Sequence, residues 1–170
     1  MKNLIYKKNK YIITIIGLLG LIPYGLPIME KNGFVDFFEI KTIDLTIWYG
    51  ITILCFLSGV YWGLSINIHI KINSKLNYLL PALSIIPFMF AIIAVIVSNY
   101  LNIVFLVVGF LICQILDELL LKHKVYFNWY ILLRRFLTVV VVTFMIYYYI
   151  ILSDVLSLIH ISEPTRRNSI

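Results

Sequence analysis

Between Asp44 and Lys71 the chain reads Leu45-Thr46-Ile47-Trp48-Tyr49-Gly50-Ile51-Thr52-Ile53-Leu54-Cys55-Phe56-Leu57-Ser58-Gly59-Val60-Tyr61-Trp62-Gly63-Leu64-Ser65-Ile66-Asn67-Ile68-His69-Ile70, with no Asp, Glu, Lys or Arg. A helix needs about 20 predominantly apolar residues to cross the roughly 30 Å hydrocarbon layer of a bilayer, and this stretch is longer than that. Its apolar residues fall on every side of a helix, so the segment is buried or lipid-facing all round. A transmembrane β-strand would alternate polar and apolar residues, and this segment does not.

The same reading extends in both directions. Tyr11–Met29, Leu76–Val97, Leu101–Leu116 and Phe136–Ser153 are also free of charge, each flanked by a charge or a polar turn. The expected fold is an all-α membrane protein: a bundle of about five transmembrane helices at residues 11–29, 46–68, 78–97, 101–116 and 136–153, forming one integral membrane domain over 1–155. Composition agrees. Of 170 residues, 62% are apolar and 13% charged, against about 45–50% and about 25% in soluble domains. An ordinary soluble enzyme and a disordered chain are therefore excluded. The net charge of +6 is split up by the spans, which argues against a nucleic-acid face.

Loop charges set the expected orientation. Lys2, Lys7, Lys8, Lys10, Lys71, Lys75, Lys122, Lys124, Arg134 and Arg135 fall on one side, and Lys31 and Lys41 on the other with Glu30, Asp36, Glu39 and Asp44. The positive-inside bias then puts the N-terminus in the cytoplasm and the C-terminus outside. The first apolar run is too long for a signal peptide and lacks a small-residue cleavage site, so it is read as a retained helix. Gly17, Gly20, Pro23, Gly25 and Pro27 cluster in its second half, which is expected to bend or break. Phe34, Phe37, Phe38 and Trp48, and on the other side Tyr126, Phe127, Trp129 and Tyr130, read as headgroup-level anchors.

Polar residues at membrane depth are where function would have to lie. Ser58, Trp62, Ser65 and His69 recur at spacings that share one helix face, beside a stripe of Gly59, Gly63 and Asn67. Gly59 and Gly63 form a small-xxx-small pair suited to close helix packing. The face is either a helix contact or one wall of a polar cleft. Gln114 and Asp117 share a face of the fourth span, followed by Glu118, while Arg134 and Arg135 open the fifth with Thr138 one turn deeper. Asp117 or Glu118 can pair with Arg134 or Arg135. The bland outcome is an ion pair that fixes a helix hairpin; the alternative is an acid–base or anion-binding cluster including His69. Cys55 and Cys113 differ in depth by roughly 10 Å, which argues against a disulfide or shared metal. No nucleotide, zinc-protease, redox or nucleophile-elbow motif occurs, so no catalytic residue, metal or cofactor is assigned.

Taken in order, Leu21-Ile22-Pro23-Tyr24, Phe56-Leu57-Ser58-Gly59-Val60-Tyr61-Trp62-Gly63-Leu64, Leu80-Pro81-Ala82-Leu83, Gln114-Ile115-Leu116-Asp117, Trp129-Tyr130 and Arg134-Arg135-Phe136-Leu137-Thr138 resemble the domain of unknown function 3429 family, which includes the transmembrane protein 69 group. The chain departs from the expected pattern at Ser58 (glycine), Tyr61 (histidine) and Tyr78 (tryptophan). The resemblance implies a small multi-span protein of bacterial inner membranes or, in eukaryotes, of mitochondria, and implies no activity. The expected role is a non-enzymatic packing or assembly component in the lipid bilayer, as a homo-oligomer or within a membrane complex. The alternative is a small transporter or channel with a polar path along the second and fourth helices.

Leu156-Ser157-Leu158-Ile159-His160-Ile161-Ser162-Glu163-Pro164-Thr165-Arg166 resembles the in-frame translation of a transposase adapter used in sequencing libraries, so residues 156–170 are expected to be non-native. Resequencing the locus past the Val155 codon is expected to diverge from this tail; native DNA continuing through Glu163 would refute that origin.

Overall fold

The computed structural model describes the backbone at residues 2–33, 42–66, 74–97, 101–123 and 125–162, and side chains at 9–33, 42–66, 78–97, 101–123 and 125–151. The elements are α1 (Lys2–Leu19), α2 (Ile22–Lys31), α3 (Thr42–Ile66), α4 (Ser74–Ile96), α5 (Leu101–Lys122) and α6 (Asn128–Ser162). Five segments are long and apolar enough to cross a membrane: Asn9–Lys31, Thr42–Ile66, Tyr78–Ile96, Leu101–Lys122 and Asn128–Ile151. The α1–α2 span sits beside α3 and α6, α4 lies between α3 and α5, and α3 touches α5 across the middle. The outer surface is as apolar as the interior: Phe56, Ile96 and Leu132 are exposed among many others. That distribution suits lipid and would be insoluble in water.

α5 continues past the expected end at Leu116, and α6 begins before Phe136. In both cases the helix carries its charges with it, because Asp117 and Glu118 meet Arg134 and Arg135 across the hairpin and cancel one another, while α5 ends at Lys122.

The first span breaks at Gly20–Leu21, within its glycine- and proline-rich part. In lipid every freed backbone carbonyl needs an internal donor. Tyr24 N–H donates to Leu21 O instead of Gly20 O, and Tyr49 of α3 donates its hydroxyl to Gly20 O at 3.1 Å. Pro27 has no N–H to offer Pro23 O, which instead shares the Thr46 hydroxyl proton with Thr42 O, both at 3.0 Å. The Tyr148 hydroxyl of α6 donates to Tyr24 O. The break is thus repaired by donors from two neighbouring helices, which fixes where α2 sits.

Close helix approach rests on Gly50 and Gly109. A Cβ on Gly109 would stand 2.7 Å from Leu54 Cδ1 and 3.3 Å from Phe90 Cβ, and one on Gly50 would stand 2.7 Å from Met145 Cε. Leu54, Leu57, Leu106, Phe110, Cys113 and Met145 fill the core around them. Gly33, with φ of 74°, ends α2 in the left-handed conformation that glycine adopts without strain.

Thr46→Val is expected to leave Pro23 O without a donor and lower stability by about 1 kcal/mol. Thr143→Val removes only a bond to Val139 O on its own helix and is expected to be silent. The shift between the two in a mixed-micelle unfolding titration measures the difference.

Candidate functional site

A tight connection joins α5 to α6: Val125 N–H donates to Leu120 O at 3.0 Å, and Ile131 N–H to Phe127 O at 3.2 Å. The turn sets the register of the hairpin. Arg134 Nε donates to Asp117 Oδ2 at 2.8 Å, and the adjacent Arg135 donates to Glu118 through Nε at 2.6 Å and Nη2 at 2.7 Å. Consecutive helical residues point about 100° apart, so one rung faces inward and the other outward. The side chains of Arg134 and Asp117 are 11% and 1% exposed, against 52% and 33% for Arg135 and Glu118.

Tyr61 of α3 completes the inner rung. Its hydroxyl lies 2.9 Å from Asp117 Oδ1 and 3.0 Å from Cys113 O, both acceptors for its single proton. Asp117 Oδ2 thus accepts from Arg134 of α6, while Oδ1 shares the Tyr61 proton of α3 with Cys113 O. Tyr126 and Tyr130 pack against each other at a tilt, with ring centroids 5.0 Å apart and planes 57° to one another. Burial first, then the Asp117 charge, push the Tyr126 phenol well above its ordinary value, so it stays protonated. Trp129 lies under the Lys10 ammonium, 5.6 Å from the ring centroid, which ties α1 to the same end of the bundle.

The other candidates separate. The Ser58 hydroxyl donates to Ser84 O of α4, whereas Ser65 donates to Trp62 O of its own helix at 2.6 Å. Ser58 is buried while Trp62 is exposed, so the four-residue face is divided between the bundle interior and its outer surface. Asn67 and His69 lie outside the described residues. Gln114 donates from Nε2 to Glu118 Oε1 at 2.9 Å, on the outer rung. Thr138 is buried one turn beyond Arg134. Among the described residues no atom lies within 4 Å of where a Cβ on Gly59 or Gly63 would stand, unlike Gly50 and Gly109.

Tyr61 enters the sequence reading only as a departure from an expected histidine, yet it is the third member of the buried centre. Its one available signal is a phenol in the half of its span that lies toward the basic residues. Among the described residues no group of three or more His, Cys, Asp or Glu is placed to hold a metal. Chemically the centre is a neutralised, fully accepting carboxylate held by a guanidinium that retains further N–H donors.

The family described as protein of unknown function (DUF3429) matches residues 10–150, which include every member of this centre. No curated protein and no solved structure matches the chain.

Removing one partner of the inner pair strands a buried charge, whereas removing both does not. Asp117→Leu and Arg134→Met are each expected to destabilise the protein by about 3–5 kcal/mol, and the double variant by less than either. Glu118→Ala with Arg135→Ala is expected to leave the unfolding midpoint unchanged, because both are exposed and already screened.

Proposed function

The chain belongs to the DUF3429 family, and from that premise we propose that it is a non-enzymatic packing component of a membrane, assembling with a second copy of itself through the Gly59–Gly63 face of α3. One observation carries the reading: Gly50 and Gly109 are filled by neighbouring helices, whereas among the described residues nothing fills the positions beside Gly59 and Gly63. A small-xxx-small face is self-complementary, and a two-fold contact between equal faces closes without leaving an edge. Trp62, exposed beside the glycines, supplies apolar bulk to the proposed contact. The polar side chains also favour assembly over transport. Ser58 is turned to α4, and Asp117 is closed by Tyr61 and Arg134, so neither faces a shared path along α3 and α5.

In the same reading the end bearing Lys10, Lys122, Arg134 and Arg135 faces the cytoplasm, and the bilayer is the bacterial inner membrane. Gly59→Leu and Gly63→Leu meet no neighbour among the described residues, so each variant is expected to fold. Crosslinking in native membranes is expected to give a dimer with the unaltered protein and to lose it in both variants. An unchanged dimer fraction refutes the proposal, and loss of a different membrane protein in its place shifts the contact to a hetero-complex.

A further inference from the structure

The Asp117–Arg134 pair is closed in charge but open in hydrogen bonding. Arg134 Nη2 is buried and finds no acceptor among the described residues. Arg134 also lines a cavity of about 220 Å³, with Gly17, Leu21, Leu57, Phe110 and Thr138. Ile16 and Phe56 also line it and are 63% and 70% exposed, so its mouth opens sideways to the bilayer between α1 and α3. The first span is little covered, only 6% of its apolar stretch being buried, which leaves this side of the bundle accessible.

We propose that the cavity is a lipid site: it takes one acyl chain of a membrane lipid, whose ester carbonyl accepts a hydrogen bond from Arg134. The volume exceeds that of an apolar protein cavity of about 150 Å³ known to hold benzene, so it suits a segment of one chain. The charge state selects the head. Asp117 already neutralises Arg134, its oxygens accepting from Arg134 and sharing the Tyr61 proton with Cys113 O. A carboxylate or phosphate would bring uncompensated negative charge into a low-dielectric site, whereas an ester carbonyl supplies the missing acceptor with none. Depth agrees. Arg134 lies about 9 Å along α6 from Asn128, which places it near the level where the polar interface gives way to hydrocarbon. Thr138 and Val141, successive turns of the same helix face, carry the wall deeper.

The test uses the full chain in phosphatidylcholine vesicles that contain a trace of phosphatidylcholine with a diazirine in its acyl chain. After irradiation, label is expected to concentrate on Leu21, Leu57 and Leu137 over the lipid-facing Ile92 and Ile96 of α4. Thr138→Phe fills the cavity from α6. Gly17→Leu fills it from α1, where a Cβ would meet Leu137 Cδ1 at 3.1 Å. Each is expected to cut cavity labelling about tenfold, while Gly25→Leu, which meets nothing within 4 Å, leaves it intact. In the unaltered protein, methyl oleate is expected to displace the label and oleate to displace it less. Uniform labelling of all lipid-facing residues, cavity labelling that survives in both filled variants, or stronger displacement by oleate would each overturn the site. Gly59→Leu does not alter the cavity, so failure of the assembly reading and failure of this one are separable.

Discussion

A carboxylate and a guanidinium buried together in an apolar bundle persist only if each removes the other's cost, and most of the basic end is built to let Asp117 and Arg134 do so. The α5–α6 turn fixes the register that aligns them, α3 supplies Tyr61 for the second oxygen, and Tyr126 and Tyr130 pack against each other at the same end. Desolvating two charges costs several kcal/mol per ion, which good geometry and extra hydrogen bonds must offset. The pair is therefore better understood as a device that fixes which helices meet, and in what rotation, than as a source of stability.

The opposite half of the bundle obeys the same constraint with backbone groups in place of charges. The α1–α2 break frees carbonyls that no water can satisfy, and Tyr49, Thr46 and Tyr148 satisfy them from α3 and α6. Each donor would be unremarkable on its own helix. Placed against the break, they make α2 depend on its neighbours, whereas among the described residues α1 meets α6 through Lys10 over Trp129 and Gly17 against Leu133 and Leu137.

Length and apolarity are local properties, so the five crossings and the broken first span are legible in the sequence. The pairing of Asp117 or Glu118 with Arg134 or Arg135 is legible as a set of combinations, because the loop is short and the charges are few. What is not legible is rotation. α3 carries apolar residues on every face, and the face that spacing picks out through Ser58, Trp62 and Ser65 is split between interior and surface, so it does not orient the helix. Spacing therefore picks out Gly59 and Gly63 equally well whether they face in or out, and it cannot distinguish them from Gly50, which does the packing. Tyr61 is hidden for the same reason: its role depends on which side of α3 meets α5.

The inner rung also constrains how the chain enters the membrane. Without Arg134, Asp117 would stand unpaired toward the end of α5, and a lone acidic residue costs up to roughly 2.5–3.5 kcal/mol on insertion scales, the upper figure applying at a helix centre. Arg134 faces the same penalty if α6 comes second and alone. The two helices are joined by a turn of only a few residues, and their charges cancel when they lie side by side. Side by side, α5 and α6 present a cancelled pair to the bilayer, where either helix alone would present an unpaired charge.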